Sequence, residues 1–122
     1  MASRRFVPEG VMAENKSIEL LRGTLDLLIL RTLELQPLHG VAVAERIEQL
    51  TAGTFVVQPG SLFPALHRLE QQGWIAGEWI KSEGSPRRKS YQLTSAGRRH
   101  LATEKKNWDR VALAMARVLG ET

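Results

Sequence analysis

A chain of 122 residues, 43% of them hydrophobic, can close one packed core but not two, so one domain with an appendage is expected. It has no cysteine, which excludes disulfides and thiolate zinc sites and fits a cytoplasmic setting. The net charge is only +4, yet between Lys81 and Arg99 six cations, Lys81, Arg87, Arg88, Lys89, Arg98 and Arg99, face the single acid Glu83, and such local basicity points to a phosphate-bearing partner.

Residues 1–15 mix charges, contain Pro8 and Gly10 and keep no period, so a flexible N-terminal arm is expected. Its Arg4-Arg5 pair is followed by Pro8 and Glu9 where an export signal needs an apolar stretch, so no export is implied. Lys16 to Gln36 predicts a helix ended by Pro37, with Leu21, Leu25, Leu28 and Ile29 on one stripe and Leu20, Leu27 and Leu30 on others. Gly23-Thr24 offers an alternative start, with Thr24 as cap. The apolar run Leu27–Leu30 lies between Asp26 and Arg31, far short of the roughly 20 residues of a membrane span. Leu38-His39-Gly40 turns the chain into a second helix ending near Thr51, with Val43, Ile47 and Leu50 inward and Glu45, Arg46 and Glu48 outward.

After a short β-branched run, Thr54–Val57, the stretch Gln58–Ile75 predicts a third helix. Ser61 is the expected N-cap, Pro64 sits near the start and Gly73 is the stop. Leu62, Leu66 and Leu69 form its apolar stripe, while Ser61, Ala65, Arg68 and Gln72 lie on another face. Trp74–Lys81 and Ser90–Leu93 read as two strands joined by a loop closing in Arg87-Arg88-Lys89, a hairpin with a basic tip. Trp74 and Trp79 are expected in the core. The fold class is therefore mainly α with a small β-hairpin wing: a winged helix-turn-helix over residues 16–93.

Thr94 caps a last helix, residues 94–122, stopped at Gly120. On it Leu101, Trp108, Val111, Met115 and Val118 recur as a coiled-coil seam, widened by Ala112 and Leu119, and the expected partner is a second copy of the chain. Trp108 is read as an interface anchor that can also wall a ligand pocket.

For DNA contact the expected residues are Ser61, Phe63, Pro64, His67, Arg68 and Gln71 on the third helix and Arg87, Arg88, Lys89 and Tyr91 on the wing. Arg68 is the candidate base reader, because its fork can pair with guanine in the major groove. The wing-tip cations suit phosphates or a minor groove. His39, His67 and His100 match no metal spacing, and no nucleophile elbow, carboxylate pair or glycine-rich cradle occurs, so neither cofactor nor enzymatic activity is expected. His39 reads as a turn residue and His100 as a solvated one.

The stretches L-L-R-G-T-L-D-L-L-I-L, P-L-H-G, G-S-L-F-P-A-L-H-R-L-E-Q-Q-G-W-I, R-R-K-S-Y-Q-L-T-S-A-G and W-D-R-V-A-L-A, spread over Leu20 to Leu119, resemble the PadR family of bacterial transcriptional regulators. The resemblance implies a homodimeric winged-helix repressor of the compact branch, often relieved by a small molecule; the expected dimer predicts a near-palindromic double-stranded operator, and Trp108 at its interface a small planar apolar or phenolic effector. Family members commonly carry tyrosine where this chain has Val41 and Phe63, and a tyrosine pair where it has Ser90-Tyr91, so hydroxyl contacts to phosphate are fewer here. The alternative is a winged-helix module for protein or small-molecule binding with weak DNA affinity.

Overall fold

The computed structural model describes residues 22–121, so the predicted arm and the part of the first predicted helix before Arg22 lie outside the described residues. In chain order the elements are α1 (Arg22–Leu35), β1 (Leu38–His39), α2 (Gly40–Leu50), α3 (Pro59–Gln71), β2 (Ile75–Ile80), β3 (Arg88–Leu93) and α4 (Ser95–Leu119). This is the order of a winged helix-turn-helix followed by a long helix, as the sequence predicts.

Helix α1 is the centre of the packing. Leu25, Ile29, Leu30, Thr32 and Leu33 are all buried, and α2, α3, α4 and β3 each pack against it. Burial on several sides explains why its leucines follow no single stripe. Gly23 and Thr24 lie inside the helix, so no break or Thr24 cap occurs there. Thr32, the buried polar residue of α1, donates from Oγ1 to the Leu28 carbonyl at 2.7 Å, which satisfies its hydroxyl within the helix.

Pro37 ends α1, and Leu38-His39 continues as an extended pair rather than a turn. Leu38 faces Tyr91 and His39 faces Ser90, which makes the sheet three-stranded and antiparallel in the order β1-β3-β2 instead of a two-stranded hairpin. A two-residue strand leaves no periodic trace in a sequence. Helix α2 buries Val43 and Ile47 as expected, but Leu50, in its last turn, is half exposed. Thr51 closes it through both its amide and its hydroxyl, bonded to the Ile47 carbonyl at 3.0 and 2.8 Å. The Thr54–Val57 run forms no strand; Val57 is buried and Phe55 packs against the core.

The junction between sheet and last helix is tight. Thr94 caps α4 as predicted, its hydroxyl accepting from the Gly97 amide at 3.0 Å while donating to the Gly73 carbonyl at 2.6 Å. The Thr94 amide bonds the Trp74 carbonyl at 3.1 Å. At Gly97 the helix backbone comes so close to β2's entry that a Cβ would overlap the Trp74 carbonyl oxygen and lie 2.8 Å from Leu93 Cδ1. Trp74 also stacks on His100, ring centroids 3.6 Å apart and 10° from parallel, so His100 belongs to this joint and is not merely solvated.

Leu101 is 1% exposed and belongs to the chain's own core, because the first turns of α4 dock on α1. It is therefore not part of an open seam. Beyond it Trp108, Val111, Met115 and Val118 stand exposed, with Leu119 beside them.

Candidate nucleic-acid interface

Helix α3 starts three residues before the predicted position. Gln58 is its N-cap and Pro59 its first helical residue, with the amides of Ser61 and Leu62 both bonded to the Gln58 carbonyl at 3.0 and 2.9 Å. Proline suits that first position because its fixed φ is helical and its missing amide is no loss there. Ser61 is thus not the cap but an exposed residue of the first turn, and Pro64 falls in the helix interior. The helix accepts Pro64 on its outer face, where Gly60, whose carbonyl loses its usual donor, is exposed to water. Leu62, Leu66 and Leu69 are buried as predicted; Ala65, expected on another face, is fully buried with them.

What remains outward on α3 is Ser61, Phe63, Pro64, His67 and Gln71, all exposed. Arg68 is turned toward α1, where Nη2 donates to Asp26 Oδ1 at 2.5 Å, each side chain about three-quarters covered. The fork expected to read a base is held against the helix that supports α3.

The wing rises beside this face. Six rungs pair β2 with β3, from Ile75 opposite Leu93 to Ile80 opposite Arg88, and residues 81–88 are all exposed. Arg87 lays its guanidinium 4.9 Å from the centre of the Trp79 ring, close enough for cation–π attraction. Trp79 is 55% exposed and belongs to the surface rather than to the core. Neither Arg87 nor Arg88 is ion-paired among the described residues. Lys89 differs: its Nζ donates to Glu70 Oε1 on α3 at 2.9 Å, and this bond raises its pKa above the usual lysine value. Tyr91 is only 7% exposed and packs beside Gly40; burial raises its phenol pKa, and it serves as floor rather than as outward contact.

Between the start of α2, the outer edge of α3 and the wing runs a groove of about 740 Å³, with His39, Val41, Phe63, His67, Glu70, Trp79 and Tyr91 among its walls. Phe63 and Val41 are exposed at 45% and 59%, so the two positions without a hydroxyl form an apolar lip on it. Gly40 lets α2 approach, since a Cβ there would already lie 3.1 Å from the Phe63 ring. His39 lies in β1 with Nδ1 buried and without a hydrogen-bond partner among the described residues.

The structure therefore brings Phe63, His67, Arg87, Arg88, Lys89 and Tyr91 around one groove, leaves Ser61, Pro64 and Gln71 exposed on α3, and turns Arg68 away toward α1. Sequence reasoning missed Trp79, Asp26 and Glu70 as parts of the site. Trp79 and Lys89 oppose each other across the hairpin, a pairing readable only once the register is known.

Comparison with known proteins places the chain. Residues 29–103 match the family model of the transcriptional regulator PadR-like family. A transcriptional regulator of Mycobacterium tuberculosis is 32% identical over 94 residues, covering 77% of this chain and 84% of the relative. A PadR family transcriptional regulator from Eggerthella lenta superposes with a TM-score of 0.70 at 29% identity, covering 93% of each chain. A transcriptional regulator from Clostridium thermocellum gives 0.73 at 24% identity over 79% of this chain and 93% of its own, a likeness of fold. With a family match spanning most of the winged-helix core and a relative of this identity and coverage, the chain belongs to the PadR-like family of transcriptional regulators.

Proposed function

We propose that the protein is a sequence-specific double-stranded DNA-binding repressor that acts as a homodimer and is released by a small molecule. The observation that carries the reading is the single face on which α3 presents Ser61, Pro64, His67 and Gln71 beside a wing whose Arg87 and Arg88 have no ion-pair partner among the described residues. An α-helix fits the major groove, about 12 Å wide, and a flanking wing reaches the phosphates on either side of it. Base reading is assigned to His67 and Gln71, with Ser61, Phe63 and Pro64 against the strand at the helix start. Arg68 acts behind the helix rather than at the base edge.

The exposed strip Trp108, Val111, Met115 and Val118 supports a two-fold dimer through α4. A dimer of this kind sets two copies of α3 about 34 Å apart on a near-palindromic site. Trp108 at such an interface would wall the pocket for a planar apolar or phenolic effector.

The deciding experiment is a salt-dependent shift assay on the promoter fragment upstream of the protein's own gene, against random duplex of equal length. Preference for the promoter, with affinity falling steeply in salt, is expected. Equal affinity for both duplexes removes sequence specificity, and absence of binding at low salt favours the module with weak DNA affinity.

A further inference from the structure

We propose that Lys89 is a positioning residue: bonded to Glu70 through the gap left by Gly77, it latches the wing to the recognition helix and leaves phosphate contact to Arg87 and Arg88. The inference rests on the DNA-binding reading above.

The sheet shows why a latch is needed. Strand β1 pairs with β3 only at Tyr91 and Ser90. Outward from Ser90, β3 has β2 as its sole sheet neighbour among the described residues, so the wing becomes a two-stranded ribbon, and such ribbons are marginal by themselves. Lys89 is the first residue beyond that limit. Its side chain shares a face with Trp79, directly opposite, and with Gly77 and Tyr91 two pairs further in. That face looks toward α3: the ammonium lies 5.7 Å from the Trp79 ring centre, 5.5 Å from that of Tyr91 and 2.9 Å from Glu70 Oε1. Where the third strand ends, an ion pair takes over its task of fixing the ribbon.

Gly77 makes the route possible. A Cβ at this position would overlap Lys89 Cε and lie 3.1 Å from Glu70 Oε2 and 3.2 Å from the Tyr91 ring. A side chain here would push Lys89 off this path to α3. The result is a fixed offset between the helix that reads bases and the arginines that hold the backbone. Lys89 and Glu70 keep only 27% and 30% of their side-chain surface, whereas Arg87 and Arg88 are exposed.

The two roles of Lys89 predict opposite results at Glu70. If Lys89 were a phosphate ligand, Glu70→Gln would free it and remove a negative charge near DNA, so binding would tighten. Lys89→Met would then lower the salt slope by about 0.9 per chain. As a latch, Glu70→Gln, Lys89→Met and the charge-neutral Gly77→Ala each weaken promoter binding roughly three- to tenfold at unchanged slope, and the double variant Glu70→Gln/Lys89→Met is no worse than either single. The exchanged pair Glu70→Lys/Lys89→Glu recovers affinity.

Affinity of these variants for the promoter fragment is measured by anisotropy across a salt series, and unfolding temperatures are measured without DNA. Tighter binding by Glu70→Gln, or a lower slope for Lys89→Met, overturns the latch. If the unaltered protein binds no duplex, the DNA-binding reading falls instead. The latch then stands or falls on the unfolding temperatures, where the two single losses must be non-additive and additive losses reject it.

Discussion

Replacing Gly97 with alanine pits helix propensity against packing, and the structure decides the sign. In an isolated helix the change would stabilise by about 1 kcal/mol. Here the new methyl would overlap the Trp74 carbonyl oxygen and crowd Leu93 Cδ1 at 2.8 Å, and the first obstacle is backbone that cannot rotate away. Separating α4 from the entry to β2 costs about 1 to 3 kcal/mol in overpacking. The same movement weakens the Thr94 amide bond to Trp74 and the Thr94 cap, each worth about 1 kcal/mol. With the propensity gain subtracted, the net loss is about 2 to 4 kcal/mol, or roughly 8 to 16 °C in Tm for a chain of this size. Thermal unfolding followed by far-UV circular dichroism measures it. An unchanged or raised Tm would refute the close approach at Gly97.

Four further outcomes are expected. Arg87→Ala/Arg88→Ala should reduce the salt slope of binding by about 0.9 for each phosphate no longer neutralised and weaken promoter and random duplexes alike, as filter binding at several salt concentrations will tell. Arg68→Ala, which removes the ion pair to Asp26, should lower stability by about 1 kcal/mol or less and change both duplexes in parallel; a weakening confined to the promoter would return Arg68 to base reading. Met115→Asp sets a charge in the exposed strip of α4 and should give a monomer that no longer binds the promoter, checked by sedimentation. Tyr91 is the only tyrosine of the chain, so absorbance of tyrosinate reports it alone. Burial favours its neutral form, so the midpoint should lie above 10.0 in the folded protein and return to the ordinary value in denaturant. The stability this shift contributes is present below the unfolded pKa and is lost as pH rises through the folded one.

Signals carried by neighbouring residues are legible in the sequence. Thr94 and Gly120 bound α4 because a cap hydroxyl and a left-handed glycine, φ 75°, act within one turn. The stripe Leu62, Leu66 and Leu69 marks the buried side of α3 for the same reason. The start of α3 is misplaced by sequence reasoning because Ser61 and Pro59 both suit a helix beginning, and only the packed structure selects the proline. Less legible are features made by distant partners. Asp26 and Arg68 lie 42 residues apart, and nothing local announces their bond. Leu101 repeats in the same seven-residue rhythm as Trp108 and Met115, so periodicity alone cannot tell that α1 already covers the first of them. The two residues of β1 are too few to show any period, and with them goes the knowledge of where the wing loses support.

The Thr94 hydroxyl touches two helices at once: it accepts from the third residue of α4 and donates to Gly73, where the chain leaves α3. The 25 residues of α4 extend about 37 Å from that point. A tilt of about ten degrees around it carries the far end through about 6 Å. Conversely, a displacement of several ångströms near Val118 arrives at the end of α3 as a rotation of a few degrees. In the proposed dimer the long helix would thus be geared down toward α3, so that a coarse rearrangement between two subunits would become a fine adjustment of aim.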